Sequence, residues 1–282
     1  MPGLRPFIIL ELLGAASVWP RTLPVANRCL SSTASSEPSQ SAPLVLIGVG
    51  PGDPDLLTLR GHRCLGAADV VAYPVAHADA TGMAATIAAP FLTAAHRHLP
   101  LVFPMVKDPA VLQDAWRAAA ACLAREVEQG HRVVFLCEGD VSLFATASYV
   151  LLALQRHHPK VKVQVIPGIS SVAAAAAAGS WPLAFQKEGL LIRPCPETPE
   201  AMDALLALAK ASGTVLALLK LGVRWHWIQP LLQARGLLDD ALFAERVGWP
   251  DQRVMSAAAV QAGERPYFSL LLVRQGTSAV LP

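Results

Sequence analysis

The sequence is poor in charge and in cysteine. Only 16% of its 282 residues are charged, the formal net charge is +2, and no run of five lysines or arginines occurs. Nucleic-acid-binding proteins normally carry a concentrated basic face, so this class is disfavoured. The five cysteines include no CxxC pair, which removes the common zinc signatures and is typical of thiols in a reducing compartment. We therefore expect a cytoplasmic protein without a nucleic-acid partner.

Candidate metal ligands are also few. His96 and His98 form one close pair, and His157 and His158 form another. Each pair flanks a proline-containing turn and has no third ligand nearby, whereas a structural metal site normally needs four ligands. Solvated loop histidines are the simpler interpretation, and the sequence predicts no metal site.

Residues 1–43 do not have the pattern of a folded segment. Their apolar stretch, Phe7 to Leu13, is broken by Glu11 and is far too short to cross a bilayer, so no membrane partner is expected. A polar, serine-rich stretch follows at 31–36. Such a composition is typical of an organelle transit segment, although an upstream start codon would also add residues of this kind. We expect a disordered or targeting tail, and both explanations stay open.

What the sequence has in abundance is apolar residues, which make up 53% of the chain and can fill a large core. An apolar run at 44–47 is followed by a glycine-rich turn, a helix-compatible segment at 56–65 and a second apolar run at 70–73. This β-α-β order implies an α/β fold with a parallel sheet. The length suits two domains, which we expect at 44–186 and 187–282.

The remaining predicted elements follow from apolar periodicity and turn residues. Strands are predicted at 99–104, 133–137, 161–166, 190–192, 214–219, 242–247 and 268–273. Helices are predicted at 81–92, 108–128, 143–156, 173–178, 202–210 and 228–235.

Three strands of the first predicted domain end in glycine turns that also carry polar residues. These turns contain Gly52 with Asp53, Gly139 with Asp140, and Gly168 with Ser170 and Ser171. In an open α/β sheet, ligands bind outside the carboxyl ends of the strands. We therefore expect the three turns to gather around one ligand site.

The first of these turns, at 48–54, is similar to a dinucleotide-binding loop only in part. Asp53 stands where the fingerprint has its third glycine, and its carboxylate would repel a pyrophosphate. Pro51 removes a backbone N–H that a phosphate cradle would use. An NAD-dependent oxidoreductase is therefore disfavoured, whereas a plain tight turn between strand and helix stays open.

Several motifs, taken in order, resemble the tetrapyrrole (corrin and porphyrin) methylases. They are GVGPGDPDLLTLR from Gly48, ADVVAY from Ala68, CEGD from Cys137, PGISS from Pro167, and Glu245–Arg246 followed by PDQR from Pro250. Each motif alone is weak, but the ordered set is specific and covers 44–275. The resemblance implies two α/β domains that hold S-adenosylmethionine in the cleft between them.

Within this family, the chain is most similar to the precorrin-2 C20-methyltransferases of cobalamin biosynthesis. The segments that carry this similarity lie at 73–75, 101–105, 137–140, 219–222 and 267–269. The resemblance implies methyl transfer to C20 of precorrin-2, giving precorrin-3A. The turn Ser142–Leu143 departs from the pattern, because relatives often have proline or phenylalanine there. A methylase acting at C11 or C17 or on uroporphyrinogen III, a diphthine synthase, and a non-catalytic cofactor-binding module on the same fold stay open.

The resemblance also implies roles for individual residues. Residues expected to line the cofactor pocket are Pro51, Gly139, Asp140, Leu143, Ser170, Ser171, Leu221 and Val247. Cations that we place near the carboxylates of a tetrapyrrole are Arg60, Lys107, Lys187, Lys220 and Arg224. Candidates for removing a proton from the methylated carbon are Tyr73, Glu138 and Asp53. A homodimer is expected from the resemblance alone.

These roles have simpler structural alternatives. Ser170 and Ser171 could serve only as caps of the helix that follows them. The cations could be ordinary surface charges, except Lys220, which directly follows a buried apolar strand.

Overall fold

The computed structural model describes residues 42–276, so the expected tail lies, up to residue 41, outside the described residues. The described chain forms two five-stranded sheets flanked by helices, which confirms the predicted α/β class. The expected domain boundary at 186–187 falls between the last strand of the first sheet and the first strand of the second, and it stays a prediction.

The first sheet consists of five parallel strands. They are β1 (Leu44–Gly48), β2 (Val70–Val75), β3 (Arg97–Val102), β4 (Val133–Cys137) and β5 (Val163–Ile166), in the order β3-β2-β4-β1-β5. All their pairings are parallel, as the β-α-β pattern predicted. β1 and β4 are buried along their whole length because helices cover both faces of a parallel sheet.

Two pairs of helices cover this sheet. α1 (Leu59–Gly66) and α2 (Met83–Ala88) pack on one face, and α3 (Pro109–Glu128) and α4 (Thr146–His157) pack on the other. α3 starts where the sequence predicts, because the Asp108 carboxylate accepts a hydrogen bond from the Ala110 N–H at 2.8 Å and a proline occupies the first position.

The second sheet is mixed. Its strands are β6 (Gly189–Pro194), β7 (Thr214–Leu219), β8 (Ala241–Glu245), β9 (Arg253–Ser256) and β10 (Ser269–Val273), in the order β6-β7-β10-β8-β9. Only β6 and β7 pair in parallel. α6 (Pro199–Ser212) and α7 (Trp225–Ala234) cover one face. The sequence pattern missed β9, a four-residue edge strand that lacks buried residues.

α5 (Ser171–Ala178) covers the other face of the second sheet. Its buried residues, Val172 and Ala174 to Ala176, pack against Leu219, Leu242 and Leu270. A Cβ atom at Gly179, which follows the helix, would lie 2.5 Å from the Leu242 side chain. The alanine run therefore lets a helix that follows the last strand of the first sheet lie close against the second sheet.

Several predicted boundaries were wrong for local reasons. The helix predicted at 56–65 is a 3₁₀ turn at Pro54–Leu56 followed by α1, since Asp53 caps the turn and Thr58 caps the helix. The helix predicted at 81–92 ends at Ala88 and continues as a 3₁₀ turn, because Pro90 has no N–H to extend it.

Two further boundaries move because the chain bends at the ends of strands. The helix predicted at 143–156 begins at Thr146, since Phe144 has a φ of 52° and cannot lie in a right-handed helix. The strand predicted at 242–247 ends at Glu245, because Arg246 has a φ of 49°. Both bends lie beside the cavity described next.

Candidate active site

Three glycines meet where β1, β4 and β5 end. A Cβ atom at Gly168 would lie 2.1 Å from the Gly139 carbonyl oxygen and 2.7 Å from the Gly48 carbonyl carbon. A Cβ atom at Gly48 would in turn lie 2.6 Å from the backbones of Gly139 and Gly168. Only glycine at positions 48 and 168 allows the three backbones to approach so closely. We call this contact the glycine crossing.

The first glycine-rich turn is tied to the crossing by backbone hydrogen bonds. The Gly139 N–H donates to the Gly50 carbonyl at 2.7 Å, and the Gly50 N–H donates back at 3.3 Å. The ends of the three strands are thus held together, as expected from the convergence of their turns. Within the first turn, Pro51 lines the cavity that opens beside the crossing, whereas Gly52 packs on Trp249.

A cavity of about 250 Å³ opens beside the glycine crossing. Its walls come from both sheets. The loop after β4 and the start of α5 form one side, and the end of β7, the segment after β8 and residues 267–270 form the other. We call it the central cavity. A cavity at the carboxyl ends of parallel strands is where an open α/β sheet places its ligand.

Strained backbone is concentrated around this cavity. Five described non-glycine residues have a positive φ, and three of them, Phe144, Lys220 and Arg246, line the central cavity with φ values of 52°, 63° and 49°. Such conformations cost about 1–3 kcal/mol each and persist at ligand sites, where the surrounding structure enforces them. Their clustering therefore makes the central cavity the candidate functional site.

Asp140 holds two of the loops together. Its Oδ1 accepts hydrogen bonds from the Ser142 N–H at 2.9 Å and from the Ser142 hydroxyl, and its Oδ2 accepts one from the Gly168 N–H at 2.9 Å. Burial acts to raise the pKa of Asp140, but these hydrogen bonds hold it below its ordinary value. The carboxylate therefore keeps the loop after β4 against the glycine crossing.

Glu138 is the carboxyl in the cavity wall whose pKa is raised. Burial raises the pKa of its carboxyl to about 7, and the positive charge of Arg246 only partly offsets this. Within residues 42–276 no hydrogen bond to the carboxylate compensates for the loss of water. A carboxyl with a pKa near neutrality in a ligand cavity is suited to accept and release a proton.

Trp249 joins the segment after β8 to the first turn of the chain. Its Nε1–H donates to the Pro51 carbonyl oxygen at 3.0 Å, across 198 positions in sequence. The Arg246 guanidinium lies 4.9 Å from the centre of the Trp249 ring and donates from Nε to Asp251 at 2.8 Å. The hydrogen bond between Trp249 and Pro51 closes one side of the central cavity, between the two sheets.

The cavity gathers most of the predicted cofactor residues. Those that line it are Pro51, Gly139, Asp140, Leu143, Ser170, Ser171 and Val247. Ser170 also caps α5, since its hydroxyl accepts a hydrogen bond from the Ala173 N–H at 3.2 Å. Leu221 is fully buried behind the wall, where its N–H donates to the Ser269 carbonyl.

Only one of the three proton-acceptor candidates lines the cavity, namely Glu138. Tyr73 packs against Gly82 on the far face of β2, and its hydroxyl lies 3.3 Å from Nδ1 of His98. Asp53 accepts a hydrogen bond from the Asp55 N–H at 2.9 Å and lies outside the cavity walls. The alternation of side chains along β2 and the capping of the 3₁₀ turn direct these two residues elsewhere.

The predicted cations are dispersed. Lys220 lines the central cavity, and Arg224 lies in an adjoining one. Arg60, Lys107 and Lys187 are exposed and lie outside the walls of the central cavity.

Sequence reasoning missed much of the wall, including the large side chains of Phe144, Arg246, Trp249 and Tyr267. Arg246 and Tyr267 stood inside motifs that carried the resemblance, but nothing local indicated that they would reach the cavity. Contacts across the sheets decide their positions.

Neither a metal cluster nor a membrane span occurs in the described part of the chain. Between residues 42 and 276, no group of three or more His, Cys, Asp or Glu side chains could hold a metal ion. No helix in that range combines the length and the hydrophobicity needed to cross a membrane.

Comparison with known proteins gives consistent matches. Residues 43–261 match the model of the family Tetrapyrrole (Corrin/Porphyrin) Methylases. The chain is 32% identical to the cobalt-precorrin-2 C(20)-methyltransferase of Salmonella typhimurium, over 82% of this chain and 96% of that one. It is also 32% identical to the precorrin-2 C(20)-methyltransferase of a Sinorhizobium species, over 82% and 94%.

A third relative is longer. The cobalamin biosynthesis protein CobIJ of Mycobacterium bovis is 34% identical over 83% of this chain but over only 46% of its own length. The chain thus spans about half the length of the CobIJ proteins that it matches.

Solved structures match at lower identity. The methyltransferase CobJ gives a TM-score of 0.61 at 22% identity, over 86% of this chain and 98% of that one. The uroporphyrin-III C-methyl transferase from Thermus thermophilus, complexed with S-adenyl homocysteine, gives 0.55 at 24% identity, over 83% and 98%. These structures share the fold. The family match over residues 43–261 and the relatives that are 32% identical show the family: the chain belongs to the tetrapyrrole methylases.

Proposed function

We propose that this protein transfers a methyl group from S-adenosylmethionine to C20 of precorrin-2 in cobalamin biosynthesis, giving precorrin-3A. The proposal is supported by the similarity to two C20-methyltransferases over more than nine tenths of their length. One relative is named for a cobalt-containing substrate and the other for a metal-free one, at equal identity. Cobalt-precorrin-2 is therefore the second candidate substrate.

The residues of the central cavity fit the proposed cofactor. A Cβ atom at Gly139 would meet no atom within 4 Å, so a ligand can approach this backbone closely. Ser170 and Ser171 lie at the N-terminus of α5, where the helix dipole favours a carboxylate. Leu143 and Val247 supply apolar walls. We propose that these residues, with Pro51 and Asp140, hold S-adenosylmethionine, which when bound supplies a methyl group already activated on a sulfonium.

The protein's own contribution is mainly positioning. The glycine crossing and the Asp140 hydrogen bonds hold two loops rigidly at the cavity, and Trp249 closes the side between the sheets. Holding two reactants in line can be worth about 7–11 kcal/mol of the barrier at best. Apolar walls also exclude water, which would otherwise compete for the methyl group.

We assign proton removal to Glu138. Methylation of a ring carbon that carries hydrogen leaves one proton to be lost from that carbon. The carboxylate of Glu138 can take it, because the pKa near 7 leaves a large share of the carboxyl ionised at neutral pH yet basic enough to accept a proton. The observation that carries this assignment is the position of Glu138 in the wall of the central cavity, which neither Tyr73 nor Asp53 shares.

The test is methyl transfer by the purified protein under anaerobic conditions. The protein receives S-adenosylmethionine with an isotope-labelled methyl group and either precorrin-2 or cobalt-precorrin-2. We expect one added methyl by mass spectrometry and a labelled resonance at C20 by NMR. A label at C11 or C17 would indicate another methylase of the family. Cofactor binding without product from either substrate would favour the non-catalytic module and refute the proposal.

We also propose that the protein works as a homodimer, as the family resemblance implies. Light scattering coupled to gel filtration tests this directly, and a monomeric mass across the concentrations used in the assay would contradict it.

A further inference from the structure

A second cavity adjoins the central one. It has a volume of about 620 Å³ and lies where β6 and β7 end and α7 begins. Lys220 and Tyr267 line both cavities, so the two share a wall. We call it the side cavity. Its further walls include Glu197, Arg224, Trp227 and Arg265.

The side cavity carries an excess of positive charge. Lys220, Arg224 and Arg265 line it, whereas Glu197 is the one carboxylate among its described walls. Neither Lys220 nor Arg265 forms an ion pair with another described residue. The aromatic side chains of Trp227 and Tyr267 complete the walls. Fixed cations beside aromatic surface suit a ligand that has apolar rings and a rim of carboxylates.

Arg224 is held by the backbone and not by its acidic partner alone. Its Nη1 donates to the Lys220 carbonyl oxygen at 2.7 Å, which fixes the plane of the guanidinium. The remaining donors, Nε and Nη2, point at Glu197 at 3.2 and 2.6 Å. The Glu197 side chain is 78% exposed and that of Arg224 is 24% exposed. The pair therefore joins an exposed carboxylate to a positioned guanidinium, and an ion pair with an exposed partner contributes little and is readily exchanged.

Lys220 and Arg265 are positioned by similar means. The left-handed backbone of Lys220, with a φ of 63°, lets its ammonium group lie 5.5 Å from the centre of the Tyr267 ring. The Arg265 guanidinium donates to the Gln261 carbonyl at 2.7 Å and lies 6.0 Å from the centre of the Phe243 ring. Both cations are thus oriented by neutral groups, so their charge is left for a ligand.

We propose that the side cavity binds rim carboxylates of the tetrapyrrole, and that Glu197 is a counter-ion which the substrate displaces from Arg224. This inference rests on the proposed function for the identity of the ligand. A tetrapyrrole whose reacting edge faces the central cavity and which reaches past Lys220 places acetate and propionate groups in the side cavity. There Arg224 and Arg265 bind them, and this fixes the orientation of the macrocycle relative to Glu138.

The probe is uroporphyrin III, an air-stable tetrapyrrole with carboxylates around its rim, titrated against the full chain by absorbance. We expect Arg265→Gln and Arg224→Gln each to weaken binding by roughly tenfold, as for the loss of a charge-assisted contact. Glu197→Gln should tighten binding several-fold because the competing carboxylate is gone. The octamethyl ester of the same porphyrin, which lacks the charges, should not distinguish these variants from the wild type.

The ion pair between Arg235 and Asp203 supplies matched controls, because it joins α6 to α7 on the surface away from both cavities. Arg235→Gln and Asp203→Asn should leave porphyrin affinity unchanged. A purely structural role for Glu197 predicts weaker binding in Glu197→Gln, so tighter binding is the distinguishing sign. Porphyrin affinities within twofold of the wild type in both Arg265→Gln and Arg224→Gln would overturn the inference, as would a wild type that does not bind the porphyrin.

Calorimetry with S-adenosylhomocysteine separates substrate from cofactor. Its affinity should be unchanged in all these variants; a loss there with porphyrin binding intact would assign the cations to the cofactor and overturn the inference. The two proposals also fail separately. Charge-dependent porphyrin binding without methyl transfer leaves the side cavity assigned and refutes the function. Methyl transfer with an unchanged KM for precorrin-2 in the arginine variants refutes the side cavity alone.

Discussion

Gly168→Ala is the sharpest test of how the fold makes the site. The added methyl group would lie 2.1 Å from the Gly139 carbonyl oxygen and 2.7 Å from the carbonyl carbon and oxygen of Gly48. All three atoms belong to the backbone, so no rotamer change can relieve the contact. Overpacking by a methyl group costs about 1–3 kcal/mol where side chains can move. We expect at least about 3 kcal/mol here, because the ends of three strands must separate.

The same substitution at Gly66 is the matched control. Gly66 is the last residue of α1, and a Cβ atom there would meet nothing within 4 Å. Gly66→Ala should leave the free energy of unfolding unchanged or raise it by up to about 1 kcal/mol, since alanine reduces the entropy of the unfolded chain. The free energy is measured by denaturant titration, and the affinity for S-adenosylhomocysteine is measured by calorimetry on the same preparations.

Two outcomes separate packing from function. If Gly168→Ala still folds at low temperature, its cofactor affinity should fall well beyond that of Gly66→Ala, because Gly168 also donates its N–H to Asp140. A Gly168→Ala protein with an unfolding free energy within about 0.5 kcal/mol of the wild type would refute the glycine crossing. Unchanged cofactor affinity in a destabilised protein would separate the crossing from the site.

Three further substitutions test single residues. Burial raises the pKa of Glu138 from 4.5 to about 7, so the unfolding free energy of the wild type should fall by at most about 3 kcal/mol as pH rises from 4.5 to 7. The rate of methyl transfer should rise over the same range, with a midpoint near pH 7. Glu138→Gln should show neither change when stability and rate are measured against pH. Trp249→Phe removes the hydrogen bond to Pro51 and should cost about 0.5–1.5 kcal/mol by denaturant titration, with weaker cofactor binding. Asp140→Asn puts an NH₂ group in place of a carboxylate oxygen that accepts from Gly168 or Ser142, and should lower the unfolding free energy by about 1–2 kcal/mol. An unchanged unfolding free energy and an unchanged cofactor affinity would contradict the role of Asp140 in holding the two loops together.

The parallel sheet could be predicted because its evidence is local. β1 and β4 are apolar runs of strand length that lead into glycine-containing turns, and buried parallel strands are such near-continuous apolar runs. Capping at Asp108 and Ser170 likewise needs only a few neighbouring residues, so α3 starts where the sequence predicts, and Ser170 caps α5 as the sequence indicates although the helix begins two residues before the predicted 173. Strands and helices whose boundaries depend on contacts with distant parts of the chain could not be predicted in this way. β9 forms a strand only because it pairs with β8, and its residues carry no apolar pattern of their own.

The candidate site divides along the same line. The turns at Gly139 and Gly168 were predicted to meet because both follow strands of one sheet, and the structure brings them into backbone contact. The position of Trp249 depends on a hydrogen bond that spans 198 residues, and Arg246 lies over the Trp249 ring; no local pattern reveals either contact. Sequence alone also cannot rank Glu138 above Asp53, since each lies in a glycine-rich turn after a strand.

The contrast between these two carboxylates shows what the fold adds to the chemistry. The Asp53 carboxylate accepts a hydrogen bond from the N–H of Asp55 and so caps a 3₁₀ turn outside the cavity. Glu138 is carried into the cavity wall because the next residue, Gly139, has a φ of 69° and turns the chain beneath it. Burial there raises its pKa to about 7. Glycine at positions 48 and 168 lets the three backbones cross, and glycine at position 139 turns the chain so that the buried carboxyl lies in the wall, so the packing of the strand ends and the basicity of the site are built by adjoining glycines.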